Sequence, residues 1–157
     1  MLSNGDQAPD FTLTSQSGQS VRLSSFKGQQ NVVIFFYPRN FSPSCTKEVC
    51  RFRDNYEEFS KMGAQLIGIS SNDESSHEKF ATEYKLPYLL LTDPGGSVRD
   101  TYSVKKTLGL LPGRATFVID RNGIIRHVFS SQMKPHRHID EALAALRRLQ
   151  SYGTVQG

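Results

Sequence analysis

The 157 residues suit one globular domain, residues 1–157, long enough to bury a core unaided. With 37% hydrophobic and 22% charged residues, no tryptophan and no long run of like charge, the composition excludes fibrous and disordered classes. The net charge of +4 is scattered apart from short groups such as Lys105-Lys106 and Arg147-Arg148, so it reads as a solvated surface mildly favouring acidic partners, not a nucleic-acid face.

The opening stretch, MLSNGDQAPDFTL, has neither a basic n-region nor an apolar core, so no secretory signal is expected. FTLTSQSGQSVRL holds two short β-prone runs around Gly18 and predicts an N-terminal hairpin. NVVIFFYP, Asn31 to Pro38, is a nearly continuous apolar run ending at proline, the pattern of a strand buried on both faces. A helix is predicted from Pro43 to Lys61, with Ser42 as N-cap and Pro43 in the first helical position. AQLIGIS is a second buried strand, DESSHEKFATEY a short helix, YLLLTD a third strand, and GGSVRDTYSV a helical turn. ATFVIDRNGIIRHVF reads as two strands joined across Asn122-Gly123. Ile139, Leu143, Leu146 and Leu149 then mark an amphipathic closing helix. The order predicts an α/β, thioredoxin-like fold: a central mixed sheet, helices on both faces and an N-terminal β-hairpin. No apolar run approaches a membrane span of ~18 residues.

The two cysteines, Cys45 and Cys50, stand close together in SPSCTKEVC. A pair cannot build a disulfide framework, and a reducing compartment makes it more plausible as chemistry than as a staple. Cys45 falls in the first turn of the predicted helix, where free backbone N–H groups and the helix dipole favour a thiolate. Ionisation alone gains at most about 30-fold in thiolate, so other groups must stabilise the charge that moves during reaction. On an intact helix, residues five apart have Cα atoms about 8.6 Å apart and point about 140° apart around the axis. A disulfide needs about 7 Å or less. The pair therefore reads as a switch that closes only when the helix start unwinds. A metal site is the weaker alternative: the spacing matches no zinc knuckle, His77 and His127 are distant, and His136 and His138 read as surface or capping residues.

FFYPRNFSPSCTKEVC resembles the peroxidatic motif of peroxiredoxins, Pro-x-x-x-Thr/Ser-x-x-Cys, with Pro38, Ser42 and Cys45 in register. Cys50 makes it similar to the bacterioferritin comigratory protein, or peroxiredoxin Q, branch. GDQAPDFTL and GRATFVIDRNGIIRHVF extend the likeness along the chain. The resemblance implies a thiol peroxidase: Cys45 attacks a hydroperoxide, and Cys50 condenses with the resulting sulfenic acid. Thioredoxin or a similar dithiol then reduces the Cys45–Cys50 disulfide. It also implies that Arg114 stabilises the thiolate; the Ser42 hydroxyl hydrogen-bonds peroxide or sulfur, serves only as the helix cap, or does both, and Pro38 either helps exclude water or simply ends the strand. No cofactor, metal, nucleic acid or membrane is implied, and the branch suggests a monomer. The expected setting is cytoplasmic, or an organelle such as a plastid if a transit peptide has been removed.

Glu48 matches an acidic position of the branch and either organises the arginine or lies on the helix surface. Ser44 and Val49 depart from the branch's usual glycine and alanine, and Phe35, Phe36, Tyr37 and Phe41 read most simply as core. A thiol–disulfide oxidoreductase and a redox-sensing binding module stay open as rival readings, although the chain lacks a CxxC.

Overall fold

The computed structural model describes residues 2–104, 113–131 and 135–156, with the side chains of 135 and 151–156 left aside. Lys105-Lys106 lies outside these residues. The strands are β1 (Thr12–Ser15), β2 (Ser20–Arg22), β3 (Asn31–Phe36), β4 (Ala64–Ser70), β5 (Leu89–Thr92), β6 (Ala115–Ile119) and β7 (Ile125–Ser130). The helices are α1 (Pro43–Asp54), α2 (Tyr56–Lys61), α3 (Glu74–Glu83), α4 (Ser97–Thr101) and α5 (Pro135–Gln156). The strands form one sheet in the order β2-β1-β5-β4-β3-β6-β7. β3, β4 and β5 run parallel, and β1, β6 and β7 pair antiparallel, which is the mixed sheet the sequence predicts.

Helices lie on both faces, but unequally. The crossovers β3–β4 and β4–β5 step in one direction across the sheet, and right-handed connections then put their helices on one side. Phe52 of α1, Phe59 of α2, Phe80 of α3 and Ile139, Leu143 and Leu146 of α5 pack there against Val33, Phe35, Leu66 and Leu90. The opposite face is covered by α4 and the N-terminal segment, through Ala8, Phe11, Leu23, Val98 and Tyr102.

All six residues of β3 are buried, as a central strand of β-branched and aromatic residues should be. Phe35 stacks on Phe52 with ring centroids 4.2 Å apart and planes 11° apart, and so fixes α1 on the sheet. That stack depends on Gly68 in β4. A Cβ there would lie 2.7 Å from Phe35 Cζ and 2.9 Å from Leu90 Cδ2.

Two boundaries differ from the sequence reading. The helix expected from Pro43 to Lys61 breaks at Asn55, where φ is −107° and ψ is 10°. The Asn55 amide donates to the Arg51 carbonyl at 2.8 Å, and this side-chain bond competes with continuation of the helix. The β6–β7 turn is also wider than an Asn-Gly pair. Asp120 Oδ1 receives the N–H groups of Asn122 and Ile124, and Gly123 alone takes a positive φ, +80°.

Candidate active site

The first turn of α1 is delivered by the end of β3. Tyr37 closes the strand, Pro38 is half-buried, and Phe41 turns the chain with φ +67°, a left-handed conformation that costs a non-glycine residue about 1–2 kcal/mol. Asn40 anchors this loop. Its N–H donates to Asn72 Oδ1 at 2.8 Å, its amide to Ser76 Oγ at 3.0 Å, and its Oδ1 receives the Tyr37 hydroxyl at 2.6 Å. Asn40 Nδ2 also lies 3.0 Å from Nδ1 of the buried His77, whose pKa burial pushes down to about 4. The strain at Phe41 is thus held by surrounding contacts. Contrary to the core reading, the Phe41 ring is 45% exposed, whereas Phe35, Phe36 and Tyr37 are sealed.

Ser42 occupies the N-cap position, but its side chain makes no capping hydrogen bond, which corrects the expected cap. The turn is closed by backbone alone, with Thr46 N–H on the Ser42 carbonyl at 2.9 Å. The half-buried Ser42 hydroxyl is left uncommitted among the described residues.

Cys45, Glu48, Val49 and Phe52 recur at i, i+3, i+4 and i+7, and this is the stripe α1 buries. Cys45 is wholly buried, and Arg114 meets it from the other side of the pocket. Pairing of Phe36 with Ala115 sets Arg114, one residue before β6, level with the end of β3. Its guanidinium is a buried fork. Nη2 donates to Cys45 Sγ at 3.0 Å and to Ser44 Oγ at 2.7 Å, and Nη1 donates to Glu48 Oε1 at 3.2 Å. Cations of this shape hold several acceptors at fixed angles, which a lysine cannot do. Ser44, where the branch usually has glycine, is therefore a ligand of the arginine.

Glu48 is fully buried and belongs to the site, not to the helix surface. Burial pushes its pKa up to about 7, against the pull of Arg114. His138 departs from its reading as a surface or capping residue. It is completely buried beside Glu48, while His136 is exposed as expected.

Arg99 is a second buried guanidinium that the sequence reading missed. It donates to the Tyr37 carbonyl at 2.9 Å and the Gly113 carbonyl at 2.7 Å, tying the end of β3 to the segment carrying Arg114. An arginine in a five-residue helix gives no local sign of such a role.

Cys50 points away from this pocket. Both thiols are free on an unbroken α1, so helix geometry keeps their Cα atoms about 8.6 Å apart. Cys50 is half-buried on a cleft of about 470 Å³ lined by Lys47, Arg51, Asp54, Asn55 and His136. Burial pushes its thiol above the ordinary value, Arg53 partly offsets this, and Asp54 adds to the rise. One residue earlier, the carbonyl of Val49 receives the buried Tyr88 hydroxyl at 2.6 Å.

Residues 4–128 match the model of the AhpC/TSA family. A curated relative, the chloroplastic peroxiredoxin Q of Suaeda salsa, is 52% identical over 149 residues, which cover 94% of this chain and 69% of the relative. Among solved structures, peroxidoxin BcpB of Mycobacterium tuberculosis superposes with a TM-score of 0.87 at 40% identity, covering 94% of this chain and 98% of that one. The Xanthomonas campestris bacterioferritin comigratory protein, described for alkyl peroxide reduction, superposes with a TM-score of 0.79 at 26% identity, covering 88% and 90%.

Proposed function

The chain belongs to the AhpC/TSA family, in its peroxiredoxin Q branch, and is a thiol-dependent peroxidase with two cysteines; we propose that Cys45 is the sulfur that meets peroxide and Cys50 the one that resolves it. The observation that carries this assignment is the 3.0 Å contact between Arg114 Nη2 and Cys45 Sγ, two buried side chains.

In the first step the Cys45 thiolate attacks the terminal oxygen of a hydroperoxide. The O–O bond breaks, its electron pair leaves on the inner oxygen, and that oxygen takes a proton and departs as water or alcohol. Sulfur is left oxidised as sulfenic acid. Arg114 stabilises the thiolate beforehand and receives the charge that builds on the peroxide oxygens, its fork already aimed by Ser44 and Glu48. The uncommitted Ser42 hydroxyl donates to the bound peroxide, and Pro38 closes the pocket from the strand side.

In the second step α1 opens from Ser42, and Cys50 attacks the sulfenic sulfur. The S–S bond forms, and the sulfenic hydroxyl leaves with the Cys50 proton as water. A thioredoxin-like dithiol returns both sulfurs to thiols by exchange. One sheet positions both α1 and Arg114, which supports one domain over residues 1–157. Both hydrogen peroxide and organic hydroperoxides are substrates in this reading, the latter supported by the activity described for the Xanthomonas relative. The chloroplast names of the plant relatives support a plastid as readily as a cytoplasmic setting.

The test is peroxide-dependent oxidation of thioredoxin. Cys50→Ser keeps one sulfenic acid per chain and stops cycling. Full turnover by Cys45→Ser would overturn the assignment.

A further inference from the structure

His138, at the start of α5, has no part in the reaction just described, yet it is completely buried against it. Its ring is locked. The Ser131 carbonyl, 2.8 Å from Nε2, can only accept, so Nε2 carries the proton and Nδ1 receives the Thr116 hydroxyl at 2.7 Å. Phe129 packs edge-on at 4.8 Å between centroids. Burial pushes the ring's pKa down to about 4, aided by Arg114, so it is neutral near pH 7. What it turns towards Glu48 is an N–H edge, with Nε2 3.6 Å from Oε2. That is longer than a hydrogen bond and electrostatic in kind. Oε2 has no hydrogen-bond partner among the described residues and is closed to solvent.

Two acids therefore share one guanidinium. A neutral Glu48 still accepts from Arg114 through Oε1, aiming the fork while leaving its charge to the sulfur. An ionised Glu48 competes with the sulfur for that charge. Other groups that feel Glu48 are Tyr37, at the end of β3, and Tyr88, before β5. Burial holds both hydroxyls well above their ordinary range, so both stay neutral.

We propose that His138 is a positioning residue for peroxide reduction, acting through Glu48: its N–H edge steadies the outer carboxyl oxygen and thereby governs how Arg114 is divided between Glu48 and the Cys45 sulfur. This rests on Cys45 being the peroxidatic sulfur. The raised pKa of Glu48 supports it, since the division then changes near neutrality.

The experiment is the second-order rate of Cys45 oxidation by hydrogen peroxide, measured by competition with a haem peroxidase from about pH 5 to about pH 9. The wild-type rate falls several-fold through one ionisation near neutral pH, and Glu48→Gln lacks this fall. His138→Phe removes the N–H edge and makes the carboxylate harder to form, so the fall moves up by roughly half a pH unit or more. His138→Gln, which can return an N–H to Oε2, restores its position. A fall that survives Glu48→Gln, or a profile unmoved by His138→Phe, overturns the proposal. If His138→Phe does not fold, Thr116→Val, which frees Nδ1 and lets the ring turn, must move the fall; an unmoved profile is equally fatal. A wild type that peroxide does not oxidise at Cys45 sinks the peroxidase assignment and this proposal together. Oxidation with an unmoved profile sinks this proposal alone.

Discussion

Cys45 and Cys50 stand on one helix, about 1.4 turns apart, in opposite surroundings. Cys45 is itself buried, against a guanidinium with three acceptors and beside a loop pinned by Asn40 and Arg99. Around Cys50 there is an open cleft, mixed charge, and a thiol pushed towards its protonated form. The difference teaches a division of labour. In the proposed cycle the sulfur that meets the oxidant is the one buried against a guanidinium, and the one that resolves it is the thiol that burial pushes towards its protonated form. A second thiolate beside the first would compete for peroxide and repel it.

The contrast is broken most severely at Arg114. Arg114→Lys keeps a cation but not the fork, and should slow oxidation of Cys45 by about 100-fold or more, read by stopped-flow at matched pH. A loss under tenfold would mean that charge alone suffices. A smaller effect sharpens the other side. Resolution depends on the Cys50 thiolate, so disulfide formation after a peroxide pulse should speed up about tenfold per pH unit across neutrality. Asp54→Asn removes a charge that raises the Cys50 thiol and should speed this step about two- to threefold, with Cys45 oxidation unchanged. Quenched-flow mass spectrometry separates the two steps. Comparable in size is Ser44→Ala. It deletes one acceptor of the fork and should cost a few-fold in Cys45 oxidation, because Glu48 and the sulfur still hold the guanidinium.

The strands, the α1 start and the cysteine–arginine pair were legible because each leaves a local or motif-level trace: an unbroken apolar run, a Ser-Pro at a helix start, GRATF before a strand. The buried polar residues left fainter traces. Glu48 falls on the same i, i+3, i+4, i+7 stripe as Cys45, Val49 and Phe52, and His138 precedes the buried Ala142 and Ala145 at helical spacing. Position on an apolar stripe was the available sign that both point inward. His77 carries the same sign, three and four residues before the buried Phe80 and Ala81. Arg99 and Asn40 had none, since their partners lie on other elements and only the assembled sheet brings them together. The Asn55 break was hidden for a similar reason, because an asparagine in a helical run breaks it only when its amide turns back onto a carbonyl.

The Tyr88 hydroxyl on the Val49 carbonyl acts as a mooring. In the proposed cycle, fraying from Ser42 past that tie would also break this buried bond, at about 1 kcal/mol or more, which favours a short melted stretch whose ends stay near each other. A short tether explores few shapes, which makes ring closure fast and leaves an intact stump on which the coil rewinds once the sulfurs are parted.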